Sequence, residues 1–234
     1  MKPDTRLARG LRVALLLAAA LAAGCAKPKH LQDSGIQPPG CEAPKGPVRG
    51  QLTKNTTWCN DVTVDGNVLV PRGVTLTVEP GTTVRFKAYR GYKEPEKRLR
   101  IRVEGRLVAN GAPGKLIWFT SHQGAPQNGD WSMVKLVGAR GSRISYAVFE
   151  FSQHGLNIWN TDIELSHVVI RFNNWEGLYV ENKSKVVLSR SRVYANGYNC
   201  IAIEQFNHLT VKDSYRQTDR KTQKLGSQGL QGNL

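Results

Sequence analysis

After residue 58 apolar and polar positions alternate with a period of two, in short runs broken by glycine and proline. Val62-Thr63-Val64, Asn67-Val68-Leu69-Val70, Val74 to Val78 and Thr82 to Phe86 are the first of these runs. Such alternation, bounded by turn residues, predicts strands. No amphipathic helical pattern of ten or more residues follows the N-terminal apolar stretch. In the second half the runs repeat. Ile144-Ser145-Tyr146-Ala147-Val148-Phe149, Leu165-Ser166-His167-Val168-Val169-Ile170 and Leu188-Ser189-Arg190-Ser191-Arg192-Val193 align position by position, and the leading apolar residue returns at Val211. The steps are 21, 23 and 23 residues (144 to 165, 165 to 188, 188 to 211). Repeats of that length signal a solenoid, in which each unit buries its apolar face only against its neighbours.

The alternation assigns an interior to each unit: Ile144, Ala147, Phe149, Leu156 and Ile158; then Leu165, Val168, Ile170, Leu178 and Val180; then Leu188, Ser191, Val193, Ile201 and Ile203. A coil of about 23 residues holding three short strands with apolar residues inside is a parallel β-helix of about six rungs. Asn173 and Asn196 are counterparts one unit apart, with Ser152 at the position below, and stacked side chains of this kind can satisfy turn backbone. The motif apolar-x-x-small-x-apolar-x-x-Asn, then Gly-apolar-x-apolar, resembles the right-handed parallel β-helix repeat of the pectin-lyase-like superfamily. Val74 to Phe86, Val103 to Ser121 and Gly129-Asp130-Trp131 resemble the N-terminal rungs of bacterial β-helix repeat lipoproteins. The resemblance implies an all-β solenoid over residues 60 to 215. It implies little about function, because this fold hosts lyases, hydrolases, epimerases and inert scaffolds.

The N-terminus adds a sorting signal. Lys2, Arg6, Arg9 and Arg12 precede the apolar run Val13 to Ala23, which is too short for a permanent span. Leu21-Ala22-Ala23-Gly24-Cys25 resembles the bacterial lipobox, in which the cysteine is lipidated after cleavage. Ala26 then implies the outer membrane by resemblance to enterobacterial sorting. An ordinary secretory leader that contains a cysteine is the plainer alternative. Pro28, Pro38, Pro39, Pro44 and Pro47 mark a tether, and the chain beyond Tyr215 is basic and almost without apolar residues. The expected division is leader 1–24, Cys25 and tether 25–57, parallel β-helix 58–215 and basic disordered tail 216–234. Cys41 and Cys59 could pair in an oxidising compartment, leaving Cys200 as a buried thiol.

The formal net charge is +15; the leader holds four of the 33 basic and one of the 18 acidic residues, so the mature chain keeps +12. That favours anionic partners such as acidic polysaccharide or lipid phosphate. No nucleic-acid-binding motif is present.

One column carries candidate chemistry. The repeat register places Glu181 beneath Glu204 with Trp159 one rung lower, and Asn157 and Tyr179 in the adjacent outward column. Two carboxylates one rung apart could share a cation such as Ca2+, or approximate the separation in a retaining glycosidase. Trp159, Tyr179 and Tyr194 could stack on sugar rings. The plainer alternative is a solvated strand face. A second column, Glu150, Arg171 and Tyr194, reads as a surface ion pair of small worth. Asn160-Thr161-Asp162 imitates part of a polygalacturonase signature, but its companions stand in the wrong order. The clustered aspartates of pectate lyases and the Asp-Pro-His-Asp of alginate epimerases are absent, and His122, His154, His167 and His208 read as scattered polar or turn residues. No cofactor is implied, and oligomeric state is not legible. The expectation is an outer-membrane lipoprotein whose β-helix binds glycan or anionic polysaccharide without catalysis. A polysaccharide lyase or glycosidase using Glu181 and Glu204 is one alternative, and a structural envelope protein that contacts another protein is the other.

Overall fold

The computed structural model describes residues 41, 43–90, 97–204, 206–218, 221–225 and 228–231; the leader, Cys25 and most of the tether lie outside them. Each turn of the chain contributes one short strand to each of three faces. Face one stacks Thr56–Trp58, Thr75–Val78, Arg106–Asn110, Arg143–Ser145, Asp162–Ser166, Lys185–Ser189 and His208–Lys212 in parallel. Face two stacks Thr83–Phe86, Ile117–Ser121, Ala147–Glu150, Val169–Arg171, Arg192–Tyr194 and Ser214–Thr218. Face three stacks Arg100–Val103, Met133–Val137, Leu156–Trp159, Leu178–Glu181 and Ile201–Ile203. Strand Asp61–Val70 turns a corner, pairing with Thr83–Phe86 at its start and with Arg100–Val103 at its end, and so joins faces two and three. The architecture is a short parallel β-helix, as the repeat predicts.

Stacking in register makes columns of equivalent residues. Val78, Ala109, Ile144, Leu165, Leu188 and Val211 pair in succession on face one, and none is more than 1 % exposed. Burying each large aliphatic member contributes about 1.5–3 kcal/mol against an exposed reference, an upper bound for a compact unfolded chain. Phe86 stacks on Trp131 (4.0 Å between ring centroids) and Phe119 on Phe149 (4.7 Å) inside the same core. The predicted interior residues are all buried except Ile201 and Ile203, which are partly exposed near the end of the stack.

The corners set the shape. Each is opened by a residue in the left-handed region. Tyr146, His167, Arg190 and Asp213 have φ of 48, 53, 47 and 45°; Phe151, Phe172 and Ala195 have 61, 53 and 52°; Asn160, Lys183 and Phe206 have 46, 61 and 63°. This conformation costs a non-glycine residue about 1–2 kcal/mol. At six of these corners the N–H of the residue that follows is met by a side-chain oxygen from the next rung. Val168 N–H donates to Ser191 Oγ and Ser191 N–H to Ser214 Oγ, both at 3.0 Å. Ser152 N–H donates to Asn173 Oδ1 (3.0 Å) and Asn173 N–H to Asn196 Oδ1 (3.2 Å). Thr161 N–H donates to Ser184 Oγ (3.0 Å) and Ser184 N–H to Asn207 Oδ1 (2.7 Å). Beyond the Asn corner the chain must pass close under the next rung. A Cβ on Gly155 would lie 2.5 Å from Gly177 O, and one on Gly177 would lie 2.7 Å from Cys200 O. The equivalent position on the next rung is Cys200 itself, buried and outside the disulfide.

Two boundaries differ from the sequence reading. The β-helix begins before residue 58: Val48–Gln51 pairs with Asp61–Val70, and Cys41 is bonded to Cys59, the residue after the buried Trp58. Pro- and Gly-rich composition reads as tether, but an open edge on the first rung gives the segment a template to pair with. The basic tail, expected to be without regular structure, carries strands Lys221–Leu225 and Gln228–Gln231. They run antiparallel to Ser214–Thr218 and His208–Lys212. Unpaired N–H and C=O groups on the last rung offer an edge to which another strand can pair.

Replacing Ile170 (0 % exposed) with Asp puts an unpaired charge in a dry core and is expected to cost several kcal/mol. Val169→Asp, on the outward side, should be mild; equal melting temperatures for the two variants would refute the inside–outside register. Ser191→Ala strips the acceptor from the buried Val168 N–H and is expected to cost about 1–3 kcal/mol in urea melts, against about 0.5 kcal/mol or less for the outward Ser189→Ala.

Candidate functional site

Alternation on face three sends Leu156, Ile158, Leu178 and Val180 into the core and Asn157, Trp159, Tyr179 and Glu181 outward. Lys135, Asn157 and Tyr179 stack in one outward column, and Trp159 stands beneath Glu181 in the next. Glu204 N–H donates to Val180 O (3.0 Å), which sets Glu204 one rung above Glu181. The four residues singled out from the sequence are therefore neighbours.

Their chemistry differs from that of an acid pair. Glu181 is buried and accepts Asn157 Nδ2 at 2.6 Å, with Lys135 Nζ at 3.6 Å. Glu204 is exposed and accepts the Tyr179 hydroxyl. The two carboxylates thus hold separate partners. Tyr179 stands at the centre of the group. Its hydrogen bond to Glu204, then burial, then the fields of Glu181, Glu204 and Glu176 all push its phenol above the ordinary range, so it stays a neutral donor. Lys135 Nζ also sits 4.7 Å from the centre of the Trp159 ring, covering the ring proposed to meet a sugar.

Two further members, His154 and Glu176, come from the corner rather than the strands. His154 lies 6.1 Å from the Tyr179 ring and edge-on to Trp175 at 5.1 Å. Its Nδ1 is 2.9 Å from Glu176 Oε2. Burial lowers the His154 pKa; Glu176 and Glu181 partly oppose that, and Lys135 adds to it. His154 is thus not the isolated polar residue that its scattering in the sequence suggests. Its place directly before Gly155, in register with the Trp175-Glu176 corner, was the available signal.

The open aromatic rings also lie at this corner. Trp175 is 51 % and Tyr198 75 % exposed, one rung apart, with Tyr198 N–H donating to Trp175 O at 3.2 Å. Trp159, Tyr179 and Tyr194 are half-buried. Strand alternation could not find Trp175 and Tyr198, because alternation stops where the strands do. Near the foot of face three, Gly50, Gln51, Asn67, Arg100 and Arg102 line a shallow cleft of about 530 Å³.

The second column is stronger than a surface pair. Glu150 is 6 % exposed, accepts Arg171 Nε at 2.9 Å and Thr120 Oγ1 at 3.0 Å, and Arg171 donates on to Tyr194 at 3.1 Å. Arg171 also covers the Phe172 ring at 5.1 Å. In the polygalacturonase-like triplet, Asn160 is a left-handed corner residue and Thr161 Oγ1 accepts the Ala139 N–H, so the segment is architectural. Among the described residues no three His, Cys, Asp or Glu side chains are placed to hold a metal ion.

Residues 50–146 match a family model described as a pectate-lyase like beta helix domain. That match and the stacked parallel strands fit the right-handed parallel β-helix of the pectin-lyase-like superfamily. No curated protein and no solved structure matches the chain.

A His154 pKa held below 6.5 means that the unfolded chain takes up this proton first as pH falls. Its contribution to stability is therefore fully present above about pH 6.5 and is lost as pH drops toward the folded-state value. Urea melts between about pH 7.5 and pH 5 should show a slope that flattens in His154→Gln. An imidazole NMR titration midpoint above 6.5 would contradict the assignment.

Proposed function

We propose that the chain is a non-catalytic glycan-binding β-helix, anchored to a bacterial outer membrane through lipid on Cys25. The observation that carries the reading is the pair of open rings, Trp175 and Tyr198, on successive rungs beside a polar, half-buried face. Rungs repeat at about 4.8 Å, and flat aromatic surfaces flanked by hydrogen-bonding side chains suit sugar rings, which present an apolar face and a polar rim. Binding is favoured over cleavage by the state of the carboxylates. A retaining glycosidase needs one carboxylate open to the anomeric carbon and a second poised to donate a proton. Glu181 is buried against Asn157 and Lys135, and Glu204 is engaged by Tyr179. The +12 charge of the mature chain supports residence near anionic envelope surfaces, lipid phosphate or acidic polysaccharide.

The test is a glycan-array screen of the protein, followed by reducing-end assays on every hit. Retained glycan with no new reducing ends is the expected result. Cleavage that disappears in the Glu181→Gln, Glu204→Gln double variant would establish the lyase or glycosidase alternative instead. For the anchor, Cys25→Ser is expected to move the protein out of the detergent phase or to trap the precursor. Unchanged partitioning would remove the lipid from the proposal.

A further inference from the structure

Resting on the anchoring through Cys25, we infer that the cleft at the foot of face three binds the phosphate of an anionic lipid headgroup in the bilayer that holds the protein. The positive charge of the chain is not spread evenly along the stack. Residues 43–110, the first rungs, hold 13 basic and six acidic residues, a net charge of +7. Residues 111–212, the rungs above, hold ten and seven, a net charge of +3. The more basic end is also the end joined to the anchor along the chain, since Cys41, 16 residues after Cys25, is bonded to Cys59 in the first rung. A short tether holds a site among headgroups at an effective concentration on the order of millimolar, so a weak contact is enough to engage them. Basic residues are drawn to an anionic lipid surface within a Debye length, roughly 8 Å at physiological ionic strength.

The cleft itself is furnished with donors. Three parallel strands, Val48–Gln51, Asp61–Val70 and Arg100–Val103, lie side by side there, and their register sets Gln51, Leu69 and Arg102 in one row. Alternation buries Ile101 and Val103 and turns Arg100 and Arg102 outward, where both line the space of about 530 Å³. No carboxylate lines it. Among the described residues the Arg100 guanidinium makes no hydrogen bond or ion pair, and Arg102 gives its Nε to Glu104 at 2.7 Å. The Arg102 and Glu104 side chains are 44 and 32 % exposed, so that pair is screened by water and of small worth. Asn67 Oδ1 accepts the Arg100 backbone N–H at 3.1 Å, which leaves the Asn67 amide nitrogen as a donor beside the exposed Gln51 amide. Two outward residues of one strand start about 7 Å apart, so both guanidiniums can reach a single phosphate. Side by side they repel, and an anion between them relieves that repulsion. A guanidinium presents its N–H groups as a fork that fits two phosphate oxygens, and the terminal nitrogens of Arg102 can do this while its Nε stays on Glu104. Leu69, half-buried beside Arg102, gives an apolar floor for the glycerol portion of the headgroup.

The experiment is co-sedimentation of the full chain carrying Cys25→Ser, to which no lipid can attach, with vesicles of phosphatidylcholine alone and of an equal mixture with phosphatidylglycerol. Binding is expected to favour the mixed vesicles and to fall about tenfold when Arg100→Gln and Arg102→Gln are added, the effect of losing two charges at a lipid surface. Lys185→Gln with Arg192→Gln removes the same charge from exposed positions on upper rungs and is expected to lower binding about twofold or less. All of these variants share the same leader, and unchanged melting temperatures confirm that they fold. Equal losses in the two pairs would show that net charge alone draws the protein to lipid and would overturn the cleft. Equal binding to both kinds of vesicle would overturn it too. Inorganic phosphate, galacturonate oligomers and short-chain phosphatidylglycerol are then compared as competitors. If either of the first two displaces the arginine-dependent part at lower concentration than the short-chain lipid, the cleft holds free phosphate or acidic glycan, and the headgroup assignment falls. The anchor is judged separately: if Cys25→Ser leaves the detergent phase but the arginine pair has no effect, the headgroup contact is overturned and the anchor stands.

Discussion

The structure depends on how the corner N–H groups are met. A coil that closes in about 23 residues must bend sharply three times, and it does so through left-handed residues, most of them single. Each bend takes the following N–H out of the strand ladder. A buried donor without a partner costs about 1–3 kcal/mol, and the corners recur on every rung. The solution is collective: Ser191, Ser214, Asn173, Asn196, Ser184 and Asn207 each lend an oxygen to a backbone N–H of the rung beneath. A rung is therefore complete only when another stands on it. This is the physical content of a solenoid, beyond the shared apolar core.

Strict vertical stacking has a second consequence. Residues about 23 positions apart become neighbours, so side chains that look isolated in sequence gather into columns. Lys135, Asn157 and Tyr179 form one, and Trp159, Glu181 and Glu204 another. Glu150, Arg171 and Tyr194 form a third, buried enough to act as framework rather than decoration. Where like charges would face each other, the neighbouring column intervenes: Tyr179 takes Glu204, while Asn157 and Lys135 take Glu181. The same arrangement that relieves repulsion gives the two carboxylates separate partners, and it sets Glu176, Glu181 and Glu204 near the exposed rings of the corner.

The repeat at 144, 165, 188 and 211 was sufficient to predict a parallel β-helix, because a column of buried apolar residues requires that spacing on every rung. It was sufficient also for the stacking of Asn173 on Asn196, and for the neighbourhood of Trp159, Tyr179, Glu181 and Glu204, since register on a stacked strand is arithmetic. The limits of the solenoid were not legible. Val48–Gln51 and the segments after residue 220 pair because rung edges are open, a property of the folded stack rather than of their own composition.

Tertiary structure alone decided the partners and the exposure of the site. Side-chain reach across columns, not position along a strand, gives Glu181 to Lys135 and Glu204 to Tyr179. The corner loops, where period-two alternation no longer applies, carry His154, Trp175, Glu176 and Tyr198 to the edge of face three. A one-dimensional pattern encodes which residues stack above one another. It does not encode how side chains lean sideways between columns, or which rings a bend turns toward water.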